Sequence, residues 1–164
     1  MGAARRLPVT GVLFVCTGNI CRSPTAHGVF LHLVREAGLA DRVHVDSAGT
    51  HDYHVGEPPD ARSQAHARRR GYDLSALRAR QISRHDFERF DRILAMDRGH
   101  LAILRRMAPA RHDGLGLFMD YARPSPGPDV PDPYYGAGDG FERVLDMIER
   151  AAAGLLDSLR ASDD

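Results

Sequence analysis

Residues 9–16, VTGVLFVC, form an apolar, β-branched run with almost no alternation, which is the pattern of a strand buried on both faces of a parallel sheet. Such a strand needs cover on both sides, so helices should alternate with further strands along the chain. The sequence provides them. Pro24 opens a stretch whose apolar positions Ala26, Val29, Phe30, Leu33, Val34 and Ala37 keep the helical period, and Gly38 stops it. Residues 43–46 read as a second strand. The polar stretch 60–70, closed by Gly71, reads as a solvated helix with Arg68, Arg69 and Arg70 on its wet face. Residues 92–96 and 115–119 read as third and fourth strands, with a helix over 101–107 between them. Phe141, Val144, Leu145, Ile148, Ala152, Leu155, Leu156 and Leu159 form the stripe of a long closing helix. This alternation predicts an α/β fold with a parallel sheet. The stretch 123–140 carries Pro124, Pro126, Pro128, Pro131 and Pro133 and is too irregular for either element. A loop of that length inside a compact domain is usually functional or disordered.

The chain of 164 residues fits one domain over 1–164, with no internal repeat or boundary, and is long enough for a core without disulfide or metal support. Its 22 basic and 22 acidic residues cancel, which gives no footprint for a nucleic acid or an anionic membrane. All the basic residues are arginine, which is read as codon bias. Two cysteines, Cys16 and Cys21, cannot build a disulfide framework or a four-thiolate zinc site. Arg5 and Arg6 precede the apolar run as in a signal peptide, but the run is too short and ends without small residues for cleavage. Met1-Gly2 is not followed by the Ser or Thr of a myristoylation signal. No stretch of about 18 apolar residues exists to span a membrane. A cytoplasmic location and a monomer are expected.

The chemistry concentrates between the first strand and the first helix, in Cys16-Thr17-Gly18-Asn19-Ile20-Cys21-Arg22-Ser23. Five residues separate the cysteine from the arginine. That spacing lets the loop curl so that successive N–H groups face one point, while the helix N-terminus adds donors and partial positive charge. Gly18 and Asn19 tolerate the positive φ such a loop requires. Arg22 can grip two phosphate oxygens with its planar fork. The same field favours the thiolate of Cys16 over the thiol, giving a nucleophile at neutral pH. Ser23 is read both as the helix N-cap and as a hydroxyl donor to the Cys16 sulfur. The plainer reading of Cys16-x5-Arg22 is a small apolar residue at a strand end and a surface cation. The preceding strand, the internal glycine and the helix opened by Ser23-Pro24 argue against it.

The segment from Val15 to Pro24 resembles the signature of the low-molecular-weight protein tyrosine phosphatases, bacterial type. Asp46-Ser47-Ala48-Gly49-Thr50, Val55-Gly56-Glu57-Pro58-Pro59-Asp60, Ala79-Arg80-Gln81, Ala95-Met96-Asp97 and Asp132-Pro133-Tyr134-Tyr135-Gly136 resemble further blocks of that family in the same order. The resemblance covers about residues 9–158. It implies a single domain with a four-stranded parallel sheet in the order 2-1-3-4, flanked by helices on both faces, with no metal and no organic cofactor. It further implies hydrolysis of phosphotyrosine in protein substrates through a cysteinyl-phosphate. Cys16 would be the nucleophile, Arg22 the phosphate clamp, and Asp132 the general acid and later base. Thr17, Gly18, Asn19, Ile20, Cys21 and Ser23 would complete the phosphate-binding loop.

By resemblance, Asn19 ties that loop through side-chain bonds, one of them to Ser47, and Tyr53 and Tyr134 wall the pocket mouth. Cys21 could trap an oxidised Cys16 as a reversible disulfide. Read without the family, Asp132 and Asp129 are both turn residues beside prolines. One departure stands out: Leu77 occupies a position where many relatives carry a histidine that supports the loop asparagine. The nine histidines lack metal-ligand spacing, and His51 and His54 read as rim residues. Three other functions share the motif. A protein-arginine phosphatase differs by pocket residues near position 17, an arsenate reductase needs further cysteines, and a non-catalytic phosphate-binding module would lack the nucleophile or the acid.

Overall fold

The computed structural model describes residues 9–133 and 139–162. Its elements run β1 (Thr10–Cys16), α1 (Arg22–Glu36), β2 (Val43–Gly49), α2 (Ala61–Arg69), α3 (Asp86–Arg89), β3 (Arg92–Ala95), α4 (Arg98–Met107), β4 (Leu115–Leu117), a 3-10 turn (Phe118–Tyr121) and α5 (Gly140–Ser162). The four strands pair in the order β2-β1-β3-β4, all parallel. The expected order is therefore observed. The third strand ends one residue earlier than the sequence suggests, and the fourth two residues earlier because residues 118–121 turn into the 3-10 segment. The α3 turn carries too few residues to show a period and was not legible.

Strand β1 is central, and its side chains are buried in alternation on two faces. Val12, Phe14 and Cys16 join a core with Ala26, Val29, Phe30 and Val34 of α1 and the inner stripe of α5. Leu13 and Val15 join a second core with Phe87 of α3 and Leu101 and Leu104 of α4. This two-sided burial is why the strand reads as a continuous apolar run. Phe14 anchors the larger core with edge-on contacts to Phe30 at 5.7 Å and Phe118 at 4.9 Å, and burial of one such ring contributes roughly 1.5–3 kcal/mol.

Parallel pairing carries the C-terminal ends of β1, β2 and β3 to one edge of the sheet. The loop after β1, the segment after β2 and the Asp97 cap of α4 therefore converge there. At the opposite end of α2, Arg70 is paired with Glu142, Asp146 and Glu149 of α5. Among the described residues, no helix is long and apolar enough to cross a membrane.

Candidate active site

The loop 17–21 is held by its carbonyl groups. Cys16 O accepts from Thr50 N at 2.8 Å, Thr17 O from His51 N at 3.0 Å, Ile20 O from Asp60 N at 2.8 Å, and Cys21 O from Thr25 N and the Thr25 hydroxyl. Among the described residues, no backbone N–H of Thr17, Gly18, Asn19, Ile20 or Cys21 donates to a protein acceptor. A run of successive N–H groups left over in this way, at a helix N-terminus, forms an anion-binding concavity. Asn19 has φ of 58°, while Gly18 is not in the left-handed region. Glycine at 18 instead gives room: a Cβ would lie 2.8 Å from the His54 ring, which would have to shift. Gly49 meets the same demand from the sheet side, since a Cβ there would lie 2.6 Å from Thr17 O.

Cys16 is buried at the C-terminal end of β1, and its Sγ lies 3.0 Å from Ser23 Oγ. Ser23 Oγ also accepts from Asn19 Nδ2 at 2.8 Å, which leaves its proton for the sulfur or for the more distant Ala48 O at 3.4 Å. The N-cap expectation for Ser23 is corrected. Helix α1 begins at Arg22, with Cys21 at the cap and no side-chain cap bond, and the Ser23 hydroxyl is engaged by the loop. The Cys21 thiol is pushed up to about 12, chiefly by burial, so it remains a thiol at neutral pH. Both cysteines are free.

Asn19 closes the other side of the loop. Its Oδ1 accepts from Arg80 N at 3.1 Å. Ser47 Oγ pairs instead with His27 Nδ1 at 2.9 Å, so the expected Asn19–Ser47 tie is replaced. Leu77, at the departing position, packs against the larger core. The asparagine is thus supported by a backbone N–H and by Ser23, and the buried histidine sits on α1. Burial lowers His27 to about 4, which keeps its ring neutral. Arg80 is itself fixed by Asp86 through two 3.0 Å bonds and by Asp46 at 3.1 Å.

Arg22 is 5% exposed although it is an arginine in a loop-to-helix junction. Its Nη1 donates to Asp97 Oδ2 at 2.8 Å and to Val130 O at 3.0 Å, and its Nη2 lies 3.7 Å from Asp132 Oδ2. One carboxylate thereby orients the guanidinium and caps α4, since Asp97 Oδ1 accepts from His100 N at 2.8 Å. Sequence reasoning gave Asp97 no role, because its partner is 75 positions away.

The cavity over the loop brings together Cys16, Thr17, Gly18, Ile20, Cys21 and Arg22 with Tyr53, His54 and Asp132. Tyr53 is 67% exposed and stacks on His51 with ring centroids 4.9 Å apart. His54 Nδ1 donates to the Glu57 carboxylate at 2.6 Å, and its ring lies beside Gly18. Asp129 is committed elsewhere, accepting from Arg98 N at 2.9 Å and pairing with its guanidinium at 3.0 Å. That distinction between the two aspartates was invisible in their shared proline context. Tyr134 falls outside the described residues.

A cysteine at the base of an N–H-lined loop, an oriented arginine and a carboxylate across the cavity define the class of enzymes that transfer phosphoryl groups to cysteine. Within it, the family model described as "Low molecular weight phosphotyrosine protein phosphatase" matches residues 11–164, and the chain belongs to that family. It is 48% identical over 153 residues to a low molecular weight protein-tyrosine-phosphatase of Streptomyces coelicolor, covering 91% of this chain and 93% of that protein. Among solved structures, YfkJ from Bacillus subtilis superposes with a TM-score of 0.92 at 38% identity, covering 98% of this chain and all of the other. A structure described as a drosophila arginine phosphatase superposes at 0.84 with 35% identity, covering 90% of this chain and 96% of the other.

Proposed function

We propose that the chain is a cytoplasmic protein tyrosine phosphatase that hydrolyses phosphotyrosine in protein substrates in two steps. The observation that carries this reading is the loop whose Thr17, Ile20 and Cys21 carbonyls are bonded outward and whose N–H groups from Thr17 to Cys21 have no acceptor among the described residues, with Cys16 and Arg22 at its two ends. Those N–H groups and the Arg22 fork hold the three non-bridging phosphate oxygens. The Cys16 thiolate attacks phosphorus as the tyrosyl oxygen departs with a proton from Asp132. A water, deprotonated by the same carboxylate, then attacks the cysteinyl-phosphate and releases inorganic phosphate. In that second step the Ser23 hydroxyl, 3.0 Å from the sulfur, stabilises the departing thiolate.

The position of Asp132 near Arg22 Nη2 supports the acid role, since it sets the carboxylate beside the phosphate clamp. Tyr53 at the cavity supports an aryl substrate, because an exposed ring at the mouth can stack on the phosphotyrosyl ring. A free, buried nucleophile and a second cysteine within the same loop suit a reducing compartment.

A second reading, a protein-arginine phosphatase, is favoured by the small polar side chain of Thr17 in the cavity and by the arginine phosphatase among the fold relatives. Rates on phosphotyrosine, phosphoserine and phosphoarginine peptides of one sequence separate the two. Phosphotyrosine should be hydrolysed fastest, with phosphoserine too short to reach Cys16. A higher kcat/KM for the phosphoarginine peptide would replace the first reading by the second.

A further inference from the structure

The catalytic reading leaves one buried titratable side chain without a task. His100, in the first turn of α4, is 4% exposed. Its Nε2 lies 2.8 Å from Thr17 Oγ1 and 3.5 Å from Arg22 Nη2. Its backbone N–H is held by the same Asp97 carboxylate that holds Arg22 Nη1. The ring therefore spans the two ends of the phosphate site, with the first loop residue on one side and the clamp on the other.

The chemistry of the partners fixes what the ring must be. Arginine has donors only, and a guanidinium cannot accept a bond from an imidazolium. Nε2 can face Arg22 favourably only as a lone pair, which also receives the Thr17 hydroxyl proton. The ring proton then resides on Nδ1, which lies 3.1 Å from Asp97 Oδ1 without the alignment of a hydrogen bond. Burial, reinforced by the neighbouring Arg22 charge, lowers His100 to about 4 and so keeps the ring neutral at physiological pH.

We propose that His100 is a positioning residue of the phosphate site, whose neutral Nε2 fixes both the Thr17 side chain and the Nη2 arm of Arg22. Asp97 and Val130 hold only Nη1. Nη2 is the arm that lies 3.7 Å from Asp132 across the cavity, so His100 supplies the constraint that the other two leave out. Its effect belongs to the transition state, where charge spreads over the oxygens that Arg22 grips, and not to fold stability.

This inference rests on the phosphatase reading, and the experiment separates the two. Parent turnover of an aryl phosphate is measured first, because an inactive parent would break the phosphatase reading itself. Phosphate binding by calorimetry reads the same contacts without turnover. His100→Leu keeps much of the volume and removes the acceptor. It should lower kcat on the order of tenfold to a hundredfold, the effect of one bond to a charged group, with little change in KM. Inhibition by vanadate should weaken in step with kcat. His100→Gln can present Oε1 near the place of Nε2 and should recover most of kcat. Thr17→Val in the His100→Leu background should cost less than in the parent, since the two share a bond. Parental kcat in His100→Leu, or a Gln variant as impaired as Leu while both melt like the parent, would overturn the proposal. Should the Leu variant not fold, the Gln variant and additive losses in Thr17→Val/His100→Gln decide the matter in the same way.

Discussion

The two loops that meet over Cys16 are built on opposite principles. The phosphate loop is short and buried, and each of its polar side chains is bonded: Asn19 to Ser23 and Arg80, Ser23 to Cys16, and Thr17 to His100. The proline-rich loop after residue 122 is long and mostly exposed. It is pinned at Val130, which is fully buried, donates to Met96 O and accepts from Arg22. Two residues further on, Asp132 is exposed and stands 3.7 Å from the clamp. The difference follows from what each loop has to do. Groups that stabilise a transferring phosphoryl must be oriented before the reaction, because reorientation during it costs free energy. A proton donor must instead meet leaving groups that enter and depart through the mouth, and an exposed carboxylate set between buried Val130 and Pro133 serves that need.

The largest expected effect falls on the preorganised side. Arg22→Lys keeps the charge but loses the fork, and should lower kcat by about 10³- to 10⁵-fold, the range for an arginine acting on a transferring phosphoryl group. A loss confined to KM would mean that the loop only binds the ground state. On the acid-loop side, Asp132→Asn should cost about 10²- to 10⁴-fold on phosphotyrosine and clearly less on an aryl phosphate with an acidic phenol. Equal losses on both substrates would show that Asp132 shapes the loop and another group delivers the proton.

The tether between the two loops should give a mixed signature. Val130→Ala removes two buried methyl groups and should destabilise the protein by about 2 kcal/mol in denaturant titration, with a several-fold drop in kcat. A stability loss with parental kcat would show that Arg22 needs no support from the acid loop. The smallest effect on turnover concerns the outer support of the phosphate loop. Asp86 is held below the usual carboxylate range: its burial acts the other way but is outweighed by its bonds from Arg80 and from Ser83 N. A depressed folded value adds stability above the unfolded one and loses it as pH falls through the folded one. Asp86→Asn should therefore cost roughly 1–3 kcal/mol at neutral pH, with the gap to the parent closing under acid. A gap that persisted undiminished below pH 3 would assign the loss to packing.

The sequence disclosed the sheet, both faces of β1 and the loop chemistry, because these are written in contiguous residues: the run 9–16, the five-residue spacing and the helix period after Pro24. Asp132 was legible only through resemblance, since Asp129 has the same proline neighbours, and the difference between them is a bond to Arg98 across 31 positions. His100 was missed for a related reason. It contacts Thr17 across 83 positions, and a histidine in the first turn of an amphipathic helix carries no local mark of such a partner. The misread Ser23 shows the converse, that a residue with the right type for a cap can be drawn away by a stronger bond when a thiol and an asparagine lie within reach.

The central claim is that phosphate passes through Cys16. Mixing the protein with a phosphotyrosine peptide, quenching in acid within a turnover and mapping phosphate by mass spectrometry tests it directly, with Cys16→Ser as the control. One phosphate should appear on the peptide that contains Cys16, rise when Asp132 is replaced by Asn and an acidic-phenol substrate is used, because water is then poorly activated, and vanish in Cys16→Ser together with turnover. Phosphate on any other residue, or rapid turnover by Cys16→Ser, would contradict the account.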